Sequence, residues 1–400
     1  METMTETKEK RYGSTTAAIY FSYFIMGLGM SLLAQFKPEF AKLWHTNIAG
    51  VLAVGGAVGI GGIISILITG PVSDKFGRRI SAVIGHLGWA IYYIGLLYAP
   101  NQTVAYIIAI IGGISNSFLN SSNFPTLMEI FPKAASAAGL MSKFAINLGQ
   151  FFLPIAIMLG GFIGLPYRVV FMATGIFYLA LAVILIFAPY PSQVAKAKTE
   201  TQAEVPAQKH RFNVGTVCLI LMGFTTTAAF LLWINTYQEL ARSYGISQPS
   251  TLQSVYAIGA SVAVLFNSLI VKKGVKEIDI LIYYPLITAV GLALAYFIQK
   301  PWILYVTSLV VGFFAASGLY QLTLAVLGKL YADMKATAQS WAGFFSAFAN
   351  FAIISLAAWI TSISGSSAPR NIVILNVINM LVSTILAIMV KGSSHKEKSK

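Results

Sequence analysis

Three asparagines, Asn116, Asn120 and Asn123, stand four and three residues apart inside an otherwise apolar run, a spacing that puts their amides on one face of a helix. Each amide offers donors and an acceptor, so a row of them can hold the polar groups of a small molecule without contributing a reacting atom. Gln150 and Asn350 lie near the middle of two further apolar runs, 200 positions apart, and Tyr320, Gln321 and Asn235 add polar groups to two more. Amides facing hydrocarbon are costly, so these residues are expected to meet a neighbouring helix or a water-filled cavity. The chemistry they suit is recognition of a polar solute. Bond-making chemistry has no such support. There is no His-Glu-x-x-His, no Gly-x-Ser-x-Gly elbow, and His45, His86, His210 and His395 are scattered. No enzyme, metal site or cofactor is expected.

The titratable residues define a second set. None of the thirteen carboxylates falls in the middle of an apolar run. Glu39 and Glu239 each have a cation three residues on, Lys42 and Arg242, which is the spacing of a local helical ion pair. The alternative for both is an outer gate or a proton site. Glu129 and His86 also lie close enough to the ends of runs to enter a wet cavity, and His86 is equally suited to packing. Lys143 stands about two turns into a run, where it either snorkels to the surface or turns inward to hold an anion.

The elements that position these residues are membrane spans. Hydrophobic residues make up 57% of the 400, charged residues only 10%, and mean hydropathy is +0.74. The hydropathy predicts twelve helices, at 15–36, 49–69, 80–99, 104–127, 138–160, 168–189, 213–236, 251–271, 280–298, 302–326, 338–361 and 371–390. A polar stretch separates the sixth from the seventh. The expected organisation is a six-helix bundle over 1–189, a cytoplasmic linker over 190–212 and a second six-helix bundle over 213–400. With both termini cytoplasmic, 21 of the 27 Lys and Arg fall inside and six outside, as the positive-inside rule asks. The net charge of +14 is spread over loops rather than gathered with aromatics, which argues against nucleic acid as a partner. The lone Cys218 has no partner for an intrachain disulfide.

The halves repeat at an offset of 200. Pro38-Glu39-Phe40-Ala41-Lys42 aligns with Gln238-Glu239-Leu240-Ala241-Arg242, Gly59 with Gly259, and Leu127, Ala138, Phe144 and Phe151 with Leu327, Ala338, Phe344 and Phe351. Between the second and third spans lies Gly70-Pro71-Val72-Ser73-Asp74-Lys75-Phe76-Gly77-Arg78-Arg79, whose glycines permit a tight turn and whose Asp74 is placed to cap the next helix. This stretch resembles the loop between helices 2 and 3 of the major facilitator superfamily. Gly70, Asp74, Lys75, Gly77, Arg78 and Arg79 fall on the pattern; Val72 and Ser73 depart from it. The corresponding stretch of the second half, Ile270 to Asp279, keeps basic charge but loses the spacing.

The resemblance implies an all-α membrane protein of two pseudo-symmetric six-helix bundles, a multi-pass permease of the cell membrane that moves a small organic solute by alternating access. It implies that helices 1, 4, 7 and 10 line the path with 2, 5, 8 and 11 flanking it, so that Asn116, Asn120, Asn123, Gln150, Asn350, Tyr320, Gln321 and Asn235 form the substrate site. It also implies that Gly70, Asp74, Lys75, Gly77, Arg78 and Arg79 close the cytoplasmic side. Asp74 would then face the helix start at Ala336 to Ser340, and Arg78 would pair with Asp74 or Glu129. Many proton-coupled members carry a carboxylate within the bundle, which this chain lacks. Coupling to protons or to a counter-transported solute would have to use Glu39, Glu239, His86 or Lys143, or Glu129. A lining of amides and aromatics suits a neutral polar metabolite such as a sugar. Efflux of amphiphilic compounds, transport of organic anions, and a non-transporting sensor are the alternatives. Nothing requires more than a monomer in the lipid bilayer.

Overall fold

A computed structural model of the chain describes residues 12–132, 134–191, 214–316, 318–330 and 335–398, and every regular element among them is helical. The first half contains α1 (Gly13–Gly29), α2 (Ile48–Phe76), α3 (Arg78–Tyr98), α4 (Gln102–Ile130), α5 (Ala135–Phe162) and α6 (Tyr167–Phe187). The second contains α7 (Val214–Ser243), α8 (Thr251–Lys272), α9 (Glu277–Ile298), α10 (Pro301–Val310, continued at Leu319–Leu330), α11 (Lys335–Ser364) and α12 (Ala368–Lys398). The expected linker lies outside the described residues except for Tyr190 and Pro191.

Eleven apolar segments are long enough to cross a membrane. The last, Trp341–Ser393, contains 53 residues and passes through the short turn Gly365–Ser367 between α11 and α12. At 1.5 Å per residue a single helix of that length would reach roughly 80 Å, far beyond the ~30 Å hydrocarbon core, so it counts as two spans. The chain is therefore an all-α membrane protein with twelve spanning helices.

The expected boundaries hold to within a few residues for most helices, and three departures have physical causes. α2 continues to Phe76, so Gly70 to Lys75 are helical with Pro71 inside the helix, rather than forming the turn. Ser73 donates to Ser121 O of α4 at 3.0 Å, a tertiary contact that holds these last turns in place. The turn itself is made by Gly77 at φ +101°, a conformation that costs glycine little. Asp74 consequently lies on the preceding helix. The residue at the cap of α3 is Gly77, and no side chain caps that helix. The second departure is α1, which breaks at Met30 and Ser31 before short helices at Leu32–Gln35 and Lys37–Leu43. The third is α10, where a π turn at Val311–Ala316 and Gly318 at φ +126° divide the helix.

The two halves use matching crossings. Gly113 of α4 packs directly on Val58 O of α2, and Gly312 of α10 packs directly on Tyr256 O of α8; a Cβ at either glycine would collide with backbone. The counterpart of Gly259, which meets Leu309 and Phe313 of α10, is Gly61 against Ile110 and Gly113 of α4. It is not Gly59, which a uniform offset of 200 had selected. Gly59 is used elsewhere, where α2 crosses α11 at Phe351. That crossing, together with α5 against α8, joins the halves.

Candidate functional site

At one end of the molecule the two short helices that follow α1, Leu32–Gln35 and Lys37–Leu43, are clasped to α7. Gln35 Nε2 donates to Tyr237 Oη at 2.7 Å, and Gln238 Nε2 donates back to Gln35 Oε1. Lys37 Nζ lies 2.9 Å from Glu239 Oε2 and also donates to Asn235 O. Lys37 is 1% exposed and Glu239 22%. Burial pushes the Lys37 pKa down, and the Glu239 carboxylate acts in the opposite direction. Glu239 thus makes its ion pair with the other half, not locally with Arg242 as its spacing suggested. The sequence carried no signal for this, since the position equivalent to Lys37 in the repeat is Tyr237. The Asn235 side chain turns back onto its own helix, donating to Leu231 O at 2.9 Å. Glu39 keeps one buried carboxylate oxygen without a hydrogen-bond partner.

At the opposite end, around Gly77, the charged groups are gathered within the first half. Arg78, 7% exposed, lies 2.9 Å from Asp74 Oδ1 and 3.5 Å from Glu129 Oε1, so it takes both of the partners that sequence offered as alternatives. Its Nη1 also donates to Ser73 Oγ and to Ser121 O. Arg79 donates to Ala188 O at 2.8 Å and stands over the Tyr190 ring, while Lys75 stands over Phe76. Gly70 has open space on its side-chain side. Asp74 is 67% exposed. The side chains of Ala336 to Ser340 lie outside the described residues.

Between these ends, the amides divide into engaged and unengaged groups. Asn123 is buried and donates to Ser22 Oγ at 3.5 Å. Ser22 Oγ also lies 2.9 Å from His86 Nε2, and His86 Nδ1 lies 2.7 Å from Ala82 O. Ala82 O can only accept, so Nδ1 carries the proton and Nε2 accepts from Ser22. This chain of bonds occupies both ring nitrogens of fully buried His86, which serves packing of α1, α3 and α4.

Asn116 and Asn120, on the same helix, make no side-chain hydrogen bond among the described residues; Asn116 Oδ1 is a buried atom without a partner there, and Asn120 is exposed. Gln150 is buried with only Met30 Sδ, 3.5 Å away, as acceptor for its Nε2. Asn350 is half-buried beside the α2 crossing, and Gln321 is exposed. Half-buried Tyr320 bonds Ser346, whose Oγ is 2.7 Å from Thr227 Oγ1. Lys143 is half-buried and has no ion pair or hydrogen bond among the described residues. Sequence reasoning passed over Asn147, one turn further along α5, which is buried and makes no side-chain hydrogen bond among the described residues.

Twelve spans in two matching sets, clasped at one end and holding unengaged amides between, have the architecture of a membrane carrier. The profile of the Major Facilitator Superfamily matches residues 19–278, well over half of the chain, which therefore belongs to that family of transporters. The chain is 29% identical over 377 residues to the "Inner membrane transport protein YdiN" of Escherichia coli (strain K12), covering 93% of this chain and 88% of the relative. Among solved structures it is similar to a D-xylose-proton symporter, with TM-score 0.77, 17% identity, and coverage of 95% of this chain and 97% of that one. It also resembles the nucleoside transporter NupG, with TM-score 0.69, 13% identity, and coverage of 95% and 98%. The chain is a transporter of small solutes, not an enzyme.

Proposed function

We propose that the chain carries a small polar organic solute across the cell membrane by alternating access, with both termini cytoplasmic. The halves 1–189 and 213–400, joined by the linker 190–212, rock about a central site formed by Asn116, Asn120, Gln150, Asn350, Tyr320 and Gln321. Asn235 lies above it, and Asn123 shapes its wall from behind. The Gln35–Tyr237 and Lys37–Glu239 contacts hold the extracellular mouth shut. The Asp74 loop, with Gly70, Lys75, Gly77, Arg78 and Arg79 set on Glu129, is the cytoplasmic latch. In this structure Asp74 is paired within its own half, which fits a carrier whose cytoplasmic latch is released.

The observation that carries this reading is the pairing of one clasped end with unengaged amides in the middle. Buried amides without partners are costly in a dry bundle and are accounted for by a wetted site that a solute fills. Neutral polar metabolites fit such amides, and the structural neighbours, a D-xylose-proton symporter and a nucleoside transporter, lie in the same chemical range. If protons are coupled, Glu39 is the best-placed group, since Glu129 and Glu239 are taken up in ion pairs and His86 is enclosed. A monomer suffices for all of this.

The test is uptake of labelled sugars, nucleosides, organic acids and lipophilic cations into proteoliposomes, with and without a proton gradient. Transport should be seen, and Asn120→Ala and Gln150→Ala should each raise KM or lower kcat. Unchanged kinetics in both variants would remove the proposed site.

A further inference from the structure

Lys143 sits eight residues into α5, about 12 Å from its first residue Ala135, and is the third residue of the apolar span Met141–Phe162. Its helix shows three faces whose neighbours are known. Ile146 and Gly149 pack on Gly27, Phe24 and Leu28 of α1. Phe151 O accepts from Ser254 Oγ of α8 at 3.0 Å. Met141, Phe144, Leu148 and Phe152 are exposed large apolar residues, the side that meets lipid. At about 100° per residue, Lys143, Asn147 and Gln150 fall within a stripe about 60° wide, between the α1 face and the α8 face. That stripe is turned to the interior between the halves, away from lipid.

The three residues are polar, one turn apart, and poorly served. Asn147 is buried and makes no side-chain hydrogen bond among the described residues, and Gln150 Nε2 has only a thioether sulfur. Among the described residues Lys143 has no ion pair, and Glu129 is held by Arg78. An ammonium inside the membrane layer without a counter-charge is costly, and it persists where it serves a path or a ligand.

We infer that Lys143, with Asn147 and Gln150, is the anion-holding subsite of the transport cavity, and that the cargo is a small organic monoanion whose carboxylate docks there. This rests on the permease reading, and within its small polar solutes it selects an anionic cargo in place of a neutral one. A single ammonium balances one negative charge, and two flanking amides supply donors for the carboxylate oxygens. Phosphate esters, with close to two charges, would leave one uncompensated. The neutral remainder of the cargo would lie toward Asn116, Asn120 and Asn350.

The experiment uses the full chain in nanodiscs and proteoliposomes, with matched pairs of a carboxylate and its neutral counterpart: gluconate and glucitol, lactate and propane-1,2-diol, benzoate and benzyl alcohol. Thermal unfolding and uptake are read for the wild type, Lys143→Gln and Lys143→Arg. At least one carboxylate should stabilise the wild type where its neutral partner does not. Lys143→Gln should weaken that effect by about 10- to 100-fold in half-saturating concentration, and Lys143→Arg should retain most of it. The unliganded midpoint of each variant reports whether it folds. Neutral partners acting as well as carboxylates, carboxylates acting equally on Lys143→Gln, or no carboxylate acting at all would each overturn the inference. Uptake of a neutral member by wild type and Lys143→Gln alike would overturn the anion subsite and leave the permease reading standing. Absence of uptake for every pair would count against the permease reading itself.

Discussion

Lys37 and Glu239 are 202 positions apart in the chain and 2.9 Å apart in the fold, and each belongs to a different half. The contact is sheltered on the lysine side and reinforced by Asn235 O and by the Gln35–Tyr237–Gln238 bonds. It is the kind of interaction that must break for the halves to part at this mouth.

Removing one partner of this pair should cost more than removing both. Lys37→Met alone strands a carboxylate and is expected to destabilise the clasped state by about 3–5 kcal/mol, whereas Lys37→Met with Glu239→Leu should recover most of the loss. A double-mutant cycle on thermal unfolding, run together with accessibility of a cysteine placed at position 31 in a Cys218→Ala background, measures it. Additive effects would show that the pair does not hold the mouth.

The same contact gives a pH dependence with a defined sign. Burial lowers the Lys37 pKa, so this lysine loses its charge at a lower pH than the ordinary lysine value of about 10.4. In the window between the two values the unfolded chain binds more protons than the folded one, so global stability rises with pH as the burial penalty is relieved. The ion pair is lost over the same window. Accessibility of position 31 should therefore increase with pH without a fall in unfolding midpoint. Lys37→Arg should abolish the transition, since a guanidinium stays charged.

At the Gly77 end, Asp74 and Arg78 should separate function from stability. Asp74 is two-thirds exposed, and its pair with Arg78 is expected to contribute only about 0–1 kcal/mol. Asp74→Asn should leave the unfolding midpoint close to wild type and yet slow transport, if Asp74 must reach the second half during the cycle. Arg78→Ala removes a buried hub bonded to Ser73, Ser121, Asp74 and Glu129, and should lower the midpoint by several degrees. Equal loss of stability in both variants would contradict the division.

Two neighbouring glycines of α2 should behave differently. A Cβ at Gly59 would strike the Phe351 backbone of α11, while one at Gly55 would meet only Leu33 Cδ2 at 4.0 Å. Gly59→Ala is expected to cost about 1–3 kcal/mol and Gly55→Ala almost nothing. Thermal unfolding of the two variants decides the matter.

The helices, the repeat and the charged loop could be read from the chain because each is a local property: apolar length, periodicity, and a ten-residue pattern. What could not be read is long-range. Glu239 has a cation three residues on, the usual sign of a local pair, and its use of Lys37 depends on how two bundles meet. Asn116, Asn120 and Asn123 do share one helix, but Ser22 and His86 take up only the last of them. Burial by partners on α1 and α3 separates a wall residue from site residues, and spacing does not encode that. Asn147 escaped notice because one amide in an apolar run carries no pattern until its neighbours on the helix face are known. Helix α2 overran its expected end because tertiary contacts of Ser73 and Arg78 outweigh the Gly70-Pro71 signal.

The interruption of α10 sets the two halves apart mechanically. α4 is one continuous helix from Gln102 to Ile130, with Pro125 removing a single bond of its ladder near the end, whereas α10 changes its winding at Val311–Ala316 and reverses its backbone sign at Gly318. Equivalent positions thus hold a rod in one half and an elbow in the other. In the proposed transport cycle, a push on the cargo from α4 would arrive as displacement of the whole bundle, and a push from α10 would be absorbed as bending of its Leu319–Leu330 arm. Such a carrier would work less like a seesaw of equal beams than like a jaw, with one rigid plate and one jointed finger.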